Sequence, residues 1–303
     1  MRSKKFSPAI HGWLVLDKPL GLTSTQALGR ARRLMGGNKA GHGGTLDPLA
    51  TGILPLAFGE ATKVIPYIMV SDKEYEFTIR WGEARSTDDA EGSVTAKSDS
   101  RPDEAQIRAA LLAFIGNVQQ KPPAFSAIKV QGERAYDLAR AGENVELAAR
   151  EVTIHDFQLI EIIDRDSAKF RVSCGKGMYV RSLARDLAEE LGTCGYVSAL
   201  RRTKTGPFTL ENAISIEKLE GLSKENAALT ALLPIKSALG DVSVLNLLPN
   251  EANSLRLGQK ILIRPQNIDF MQMPVILAEY DGVPLALVEA KNGSFSVLRG
   301  FHF

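Results

Sequence analysis

The first forty residues contain two hydrophobic patterns in succession. Residues 12–17, GWLVLD, form a short apolar run that ends at a Lys-Pro pair, which predicts a buried strand followed by a turn. Thr23 and Gln26 then have the spacing of a helical capping box. Apolar residues recur at helical intervals from there to the glycine pair at 36–37. We therefore expect a helix between these limits.

The stretch 53–69, ILPLAFGEATKVIPYIM, is apolar but contains two prolines and a glycine. Proline and glycine interrupt regular elements. The positions of Pro55, Gly59 and Pro66 predict that this stretch is divided into short pieces.

Period-two alternation is strongest at 73–81, where KEYEFTIRW puts its apolar residues on one face. This pattern predicts a strand, and residues 169–175 alternate in the same way. Helical stripes follow each strand, one within 103–115 and one within 183–191. Because strands and helices mix without regular βαβ alternation, the predicted fold class is α+β.

The last sixty residues have a different pattern. Beyond residue 240, short β-like runs are separated by Gly, Pro, Asn and Asp, which predicts a small β-rich unit. We expect two domains, residues 1–240 and residues 241–303.

Composition narrows the class of protein. The 303 residues are 44% apolar, which can supply a sizeable core, and the net charge is +2. No apolar run reaches the length of about 18 residues that a membrane-spanning helix needs. The two cysteines, Cys174 and Cys194, fit a reducing compartment, so we expect a cytoplasmic protein. Basic clusters such as 30–39 and 201–204 could contact nucleic-acid phosphates, although solvated helix faces look the same.

Several familiar chemistries have no motif in this chain. The sequence lacks a phosphate-binding P-loop, a dinucleotide-binding glycine motif, a nucleophile elbow and a zinc-protease motif. The histidines at 11, 42, 155 and 302 lie far apart, without a cysteine or carboxylate cluster. A metal site is therefore not expected.

One loop places a carboxylate among glycines. In GHGGTLDPLATG, residues 41–52, Asp47 precedes a proline, which favours extended backbone at Asp47. The glycines permit close approach of a ligand. Read alone, the loop leaves two interpretations open, because an aspartate here is also a common turn residue.

The same loop resembles the signature of the TruB family of RNA pseudouridine synthases. Further segments resemble family motifs in the family's order, and they span roughly residues 12 to 210. These segments are GWLVLDKPLGLTS, SDKEYEF, PPAFSAIKVQGERAYDLARAG, KGMYVRSLARDLAEELG and ALRRTKTGPF. The third resembles the free-standing bacterial members rather than the guide-RNA-dependent ones. The resemblance implies a pseudouridine synthase fold with a mixed, largely antiparallel sheet flanked by helices, and a small C-terminal PUA-like domain that binds RNA.

The resemblance also implies roles for individual residues. Asp47 matches the catalytic carboxylate, and Arg181 matches the active-site arginine that pairs with it. The positions that contact the target uridine are matched by His42, Tyr75, Tyr179 and Leu200.

Gly43 departs from the threonine or serine of many members. We expect this departure to loosen the loop that holds His42.

The implied activity is isomerisation of uridine 55 to pseudouridine in the T-loop of transfer RNA, on a flipped-out nucleotide. This reaction needs no redox cofactor, metal or ATP. The implied partner is the tRNA T-arm, bound by a monomer without a guide RNA or protein partner.

Two other classes stay open at this point. One is a non-catalytic RNA-binding protein on the same scaffold, and the other is a hydrolytic N-glycosylase, which also begins by breaking a glycosidic bond.

Overall fold

The computed structural model describes residues 10–37, 39–126, 128–130, 132–135, 138, 141, 143, 145, 147–240 and 242–303. Its α-helices are α1 (Ser24–Leu34), α2 (Ile65–Val70), α3 (Glu104–Leu111), α4 (Val180–Glu190), α5 (Ile216–Lys224) and α6 (Pro249–Arg256). Its strands are β1 (Gly12–Lys18), β2 (Ala40–His42), β3 (Ala50–Phe58), β4 (Lys73–Trp81), β5 (Glu83–Arg85), β6 (Val94–Lys97), β7 (Gly116–Gln120), β8 (Lys129–Val130), β9 (Glu133–Arg134), β10 (Arg150–Asp164), β11 (Ser167–Cys174), β12 (Gly195–Thr205), β13 (Phe208–Thr209), β14 (Val244–Asn246), β15 (Ile261–Leu262), β16 (Ile276–Tyr280), β17 (Val283–Lys291) and β18 (Ser294–Gly300).

The main sheet has the order β1-β3-β12-β4-β11-β10-β7, with β2 and β13 attached to β3 and β12. Its ladders are antiparallel except for the short parallel pairing of β12 with β3 at residues 200–202 and 50–52. The sheet is therefore mixed and largely antiparallel, and the α+β prediction is confirmed.

Local sequence signals set the elements around the future site. The Thr23 hydroxyl accepts a hydrogen bond from the Gln26 backbone amide, and the Thr23 backbone amide donates to the Gln26 side-chain oxygen, so the predicted capping box starts α1. The alternating segments become β4 and β11, as predicted. The stripe within 103–115 becomes α3, which Asp103 caps, followed by a short 3-10 helix.

The prediction that Pro55 interrupts its segment is wrong, because β3 runs unbroken from Ala50 to Phe58. The Pro55 carbonyl accepts from the Gly43 amide at 2.8 Å rather than from β1. In an antiparallel ladder a residue's N–H and C=O point to the same side. The missing N–H of Pro55 therefore leaves no partner unsatisfied in β1. Gly59 and Pro66 do divide the segment, at the end of β3 and at the start of α2.

Apolar side chains of the main sheet form one core with α3 and α4 and a second core with α1 and α5. The first includes Phe77 and Phe170, and the second includes Leu14 and Leu54. Tyr75 and Leu200 pack against both cores. They mark the region of the sheet where the two cores meet.

A second sheet of five strands, in the order β14-β16-β17-β18-β15, follows residue 243. The predicted C-terminal β-rich unit is therefore present. Leu277, Leu287 and Phe301 from this part share an apolar cluster with Trp13 and Phe208 of the main sheet. The domain boundary at residue 240 stays a prediction.

Within the described ranges, no helix combines the length and the apolar character that crossing a membrane requires.

Candidate active site

An open cavity of about 430 Å³ lies between the loop 43–49 and the start of α4. Its volume falls in the range of about 300–1,000 Å³ that is typical of small-molecule sites. Five of the six predicted site residues line it: Asp47, Tyr75, Tyr179, Arg181 and Leu200. The structure thus brings together side chains that are up to 153 residues apart in sequence, from Asp47 to Leu200.

Asp47 combines both interpretations of its loop. Its carbonyl accepts from the Ala50 amide at 3.0 Å, so it begins a turn with Pro48 as the next residue. Its carboxylate remains 42% exposed. Asp47 is therefore a turn residue whose carboxylate is also open to the cavity.

The loop that carries Asp47 is fixed on both sides of the carboxylate. The buried Ser24 hydroxyl donates to the Leu46 carbonyl at 2.9 Å and accepts from the Leu46 amide at 2.8 Å. The Lys18 ammonium donates to the Pro48 carbonyl at 3.4 Å. Contacts on both flanking residues restrict the motion of Asp47.

Arg181 joins Asp47 to a second carboxylate. One guanidinium nitrogen lies 2.9 Å from Asp47 Oδ2, and the other lies 3.6 Å from Asp89 Oδ2. The same nitrogens donate to the carbonyls of Phe125 at 3.0 Å and Thr87 at 3.1 Å. The arginine is only 8% exposed, so it is not a solvated surface charge at a helix start. A guanidinium with this many fixed acceptors holds its ion pair in one geometry.

Tyr75 lies beside a buried arginine that the sequence interpretation missed. Arg202 is the cross-strand neighbour of Tyr75 in the β12–β4 ladder, and it is 2% exposed. Burial raises the pKa of the Tyr75 hydroxyl, and the positive charge of Arg202 opposes that rise. The phenol is therefore held neutral and able to donate a hydrogen bond.

Arg202 also organises the backbone of the Asp47 loop. Its side chain donates to the carbonyls of Ile53 at 2.8 Å, Gly44 at 3.0 Å and Thr45 at 3.5 Å. Gly52 permits the close approach of the Arg202 backbone, since a Cβ there would lie 2.2 Å from the Arg202 carbonyl oxygen, and its φ is +96°. Besides its place in the basic cluster 201–204, the sequence signal for Arg202 is its position two residues after Leu200 on a strand, where side chains i and i+2 share a face.

Two buried lysines complete the surroundings of the cavity. Burial lowers the pKa of Lys18 to about 8, with Asp47 opposing and Arg202 reinforcing the change. Burial likewise lowers the pKa of Lys73 to about 8. Lys73 lines the cavity and donates to the Met69 carbonyl at 2.8 Å, at the end of α2. In the sequence, the one feature that could have pointed to Lys18 and Lys73 is that each lies at one end of a predicted strand.

Tyr179 and Leu200 form an apolar part of the cavity wall. Tyr179 is the N-cap residue of α4, and the Arg150 guanidinium lies 5.1 Å from its ring centroid. Leu200 pairs with Phe77 on β4 and with Ala50 on β3. Because β12 lies between β4 and β3, Leu200 is placed directly beside Ala50, at the end of the turn that Asp47 begins.

His42 is the predicted site residue that does not line this cavity. It lies on β2 opposite Leu56, and its Nδ1 is buried without a hydrogen-bond partner. Burial, and then the charge of Arg202, lowers the pKa of its imidazole. His42 therefore lies at the end of β2, directly before the loop 43–49, and not in the wall of the cavity.

The expectation that Gly43 loosens this loop stays a prediction, but the structure shows why a glycine fits here. A Cβ at position 43 would lie 2.6 Å from Ile68 Cγ2. Ile68 therefore fills the space that a threonine or serine would need, and the Gly43 amide stays bonded to the Pro55 carbonyl.

The arrangement suits a reaction in which positive charge develops on a substrate bound in a partly apolar cavity. Asp47 offers a fixed carboxylate for electrostatic or covalent stabilisation. Tyr75 offers a flat ring and a neutral hydroxyl for stacking and proton transfer. In the described part of the chain, no group of three or more His, Cys, Asp or Glu side chains is placed to hold a metal ion.

Comparison with known proteins gives two matching family descriptions. Residues 32–180 match "TruB family pseudouridylate synthase (N terminal domain)", and residues 181–240 match "tRNA pseudouridylate synthase B C-terminal domain".

Curated relatives match along the whole chain. The protein named tRNA pseudouridine synthase B of Caulobacter vibrioides is 47% identical, with 99% of each chain covered. The protein of the same name from Bradyrhizobium diazoefficiens is 49% identical over 97% of this chain and 86% of its own.

Solved structures show the same fold at lower identity. A Cbf5-Nop10-Gar1 complex matches with a TM-score of 0.75 and 24% identity, over 96% of this chain and 84% of that one. An H/ACA RNP bound to a substrate RNA containing 2'-deoxyuridine matches with a TM-score of 0.72 and 20% identity, over 100% and 93%.

Proposed function

The chain belongs to the TruB family of pseudouridylate synthases, and from this we propose that it isomerises uridine 55 in the T-loop of transfer RNA, with Asp47 as the catalytic carboxylate. Pseudouridine synthases are isomerases, and this chain is one. The observation that carries the proposed site is the 2.9 Å ion pair between Asp47 and Arg181 at the wall of the cavity.

The chemistry accounts for the residue types in the cavity. The N1–C1′ bond of uridine breaks, the uracil turns, and a C5–C1′ bond forms. The C5 hydrogen is lost to solvent and N1 gains a proton, so there is no net oxidation and no net use of water. A carboxylate can serve by attack on C1′, by addition to C6, or by abstraction of a sugar proton that gives a glycal.

A target base inside a folded RNA loop cannot reach Asp47 without leaving its stack. We therefore propose that uridine is flipped into the cavity, where it stacks on Tyr75 and contacts Tyr179 and Leu200. His42 directly precedes the loop and does not line the cavity, so its proposed role is to occupy the space that the flipped nucleotide leaves rather than to touch the bound base.

The proposed partner is the tRNA T-arm. The relatives that match the whole chain are named for tRNA, whereas the structures of lower identity are titled as assemblies with Nop10, Gar1 or an H/ACA RNP. We propose that this chain acts as a monomer in the cytoplasm without guide RNA or protein partners. The C-terminal sheet would act as a PUA-like RNA-binding domain.

The test uses the purified chain alone and an unmodified tRNA transcript that carries tritium at uridine C5. Forming the C5–C1′ bond must release the label, so we expect release. Binding of tRNA without release would contradict the proposal and favour a non-catalytic RNA-binding protein. Loss of uracil from the RNA would favour an N-glycosylase, because isomerisation leaves the RNA mass unchanged.

The first variant is Asp47→Asn. We expect it to abolish release and to leave tRNA affinity within a few-fold, because the amide keeps the shape but loses the charge. Asp166→Asn is the matched control, since Asp166 also pairs with an arginine, Arg101, but neither residue lines the cavity. Retained turnover in Asp47→Asn would remove the assigned role.

A further inference from the structure

Helix α4 begins at a residue that is poorly suited to begin a helix. Its N-cap position is Tyr179, whose side chain makes no capping hydrogen bond. Ser, Thr, Asp and Asn are preferred there because a short oxygen-bearing side chain satisfies a free backbone amide. A tyrosine at this position sacrifices helix capping and puts an aromatic ring into the cavity. Local rules are typically broken in this way where function requires it.

The backbone of Tyr179 is held instead by a neighbouring strand. The Tyr179 amide donates to Gln120 Oε1 at 2.8 Å, and Gln120 Nε2 donates to the Tyr179 carbonyl at 3.2 Å. Gln120 is 2% exposed. In a capping box, the bond to the N-cap amide comes from a residue three positions along the same helix. Here a residue of β7 accepts the hydrogen bond from the N-cap amide. Both the oxygen and the nitrogen of the buried Gln120 side chain bond to the backbone of Tyr179.

The ring of Tyr179 is held by the strand next to β7. Arg150 is the β10 partner of Gln120 in the ladder. Its guanidinium lies 5.1 Å from the Tyr179 ring centroid, within cation–π distance, and it also donates to the Gly177 carbonyl. One cross-strand pair therefore constrains the backbone, the ring and the preceding turn of a single tyrosine.

We propose that Gln120 and Arg150 are positioning residues that hold the Tyr179 ring in the orientation in which it walls the uridine cavity. This inference rests on the proposed function, since it takes the cavity to be the uridine site. Neither residue lines the cavity, so both act through Tyr179. Their contribution is to the geometry of the bound nucleotide and not to the affinity for the whole tRNA.

The experiment measures single-turnover tritium release at saturating tRNA for Gln120→Met and Arg150→Met. Both variants keep side-chain length and remove the polar contacts. We expect the rate constant to fall about 10-fold in each, the scale that small misplacements of a bound substrate produce, with tRNA Kd changed less than about twofold. Gln119→Met on β7 and Arg108→Met on α3, both exposed in this structure, are the matched controls and should keep the rate.

Conservative variants separate positioning from folding. Gln120→Glu keeps the acceptor for the Tyr179 amide and loses the donor to its carbonyl, so we expect an intermediate rate. Arg150→Lys keeps the charge but loses the planar group, and it should restore little. If Gln120→Met does not fold, Gln120→Glu and the partly exposed Arg150 still test the inference.

The decisive comparison repeats both substitutions in a Tyr179→Ala chain. Residues that act through Tyr179 should then lose their effect, and each rate should change less than about twofold. A loss that persists in that background would overturn the inference, as would full activity of both single variants. Absence of tritium release from the unsubstituted chain would instead contradict the proposed function.

Discussion

At the scale of single residues, two arginines with different surroundings organise the site. Arg181 faces two carboxylates, whereas Arg202 donates to backbone carbonyls of the Asp47 loop and its surroundings. A buried guanidinium is costly unless its donors are satisfied. Arg181 therefore sets the charge next to Asp47, and Arg202 sets the position of the loop.

His42 makes a residue-scale prediction about pH. Its folded-state pKa is lowered, by burial first and by Arg202 second, while an unfolded histidine titrates near 6.5. As the pH falls through about 6.5, the unfolded chain binds a proton that the folded chain does not. The stability from neutral His42 is fully present above that pH and is lost as the pH falls toward the folded pKa.

We expect His42→Asn to reduce the decline in Tm between about pH 7.5 and pH 5.5. Asp88, whose pKa burial raises to about 6, acts in the opposite direction in both chains and cancels in the comparison. His155→Asn, at an exposed position, is the control. Equal pH slopes for the His42 variant and the parent chain would contradict the prediction.

At the scale of elements, the start of α1 anchors the Asp47 loop. Ser24, the first residue of the helix, makes both hydrogen bonds to the Leu46 backbone. The capping box that Thr23 and Gln26 form therefore fixes the helix end from which the loop is held. A sequence signal for helix formation thus also serves the active site.

We expect Ser24→Ala to lower the free energy of unfolding by about 1–3 kcal/mol, because two backbone groups lose a buried partner. Turnover should fall about 10-fold, because the Asp47 loop loses one of its anchors. Chemical denaturation and tritium release measure the two effects. Ser223→Ala is matched, since that hydroxyl donates to Leu34 at the other end of α1 at 3.0 Å, and it should keep turnover. A loss of stability without loss of turnover in Ser24→Ala would show that the loop is positioned without this anchor.

At the scale of the whole molecule, the cavity lies where two apolar cores meet on one sheet. The C-terminal sheet adds a third cluster, in which Leu277 and Leu287 pack with Trp13 and Phe208. Trp13 also donates from its indole to the Ile235 carbonyl at 3.2 Å. This shared cluster should make the two sheets unfold together.

We expect Leu287→Ala to cost about 2–5 kcal/mol, as for other buried leucines, and to shift the fluorescence of Trp13. Val288→Ala also truncates a fully buried residue, but Val288 belongs to the core of the C-terminal sheet alone, so the tryptophan signal should stay unchanged. Calorimetry should give one transition with equal calorimetric and van't Hoff enthalpies. Two separate transitions would mean that the sheets are independent.

Periodicity and turn chemistry correctly predicted the main strands and helices around the site, because these signals are local. Alternation gave β4 and β11, and the capping box gave the start of α1. Pro55 was interpreted wrongly because its tolerance depends on which side of β3 its backbone groups face, and its carbonyl faces the Gly43 amide rather than β1. Whether a proline interrupts a strand is decided by its neighbours in space.

The sequence by itself determined the α+β class, the β-rich C-terminus and, through family resemblance, five of the residues that line the candidate site. Only the tertiary structure decided that Arg202 and Lys18 hold the Asp47 loop, that His42 lies outside the cavity wall, and that Gln120 and Arg150 contact Tyr179. The physical reason is that hydrophobic pattern and turn preference act over a few residues. Buried hydrogen bonds and ion pairs depend instead on which strands the fold makes neighbours, and Arg202 meets Tyr75 only because β12 pairs with β4.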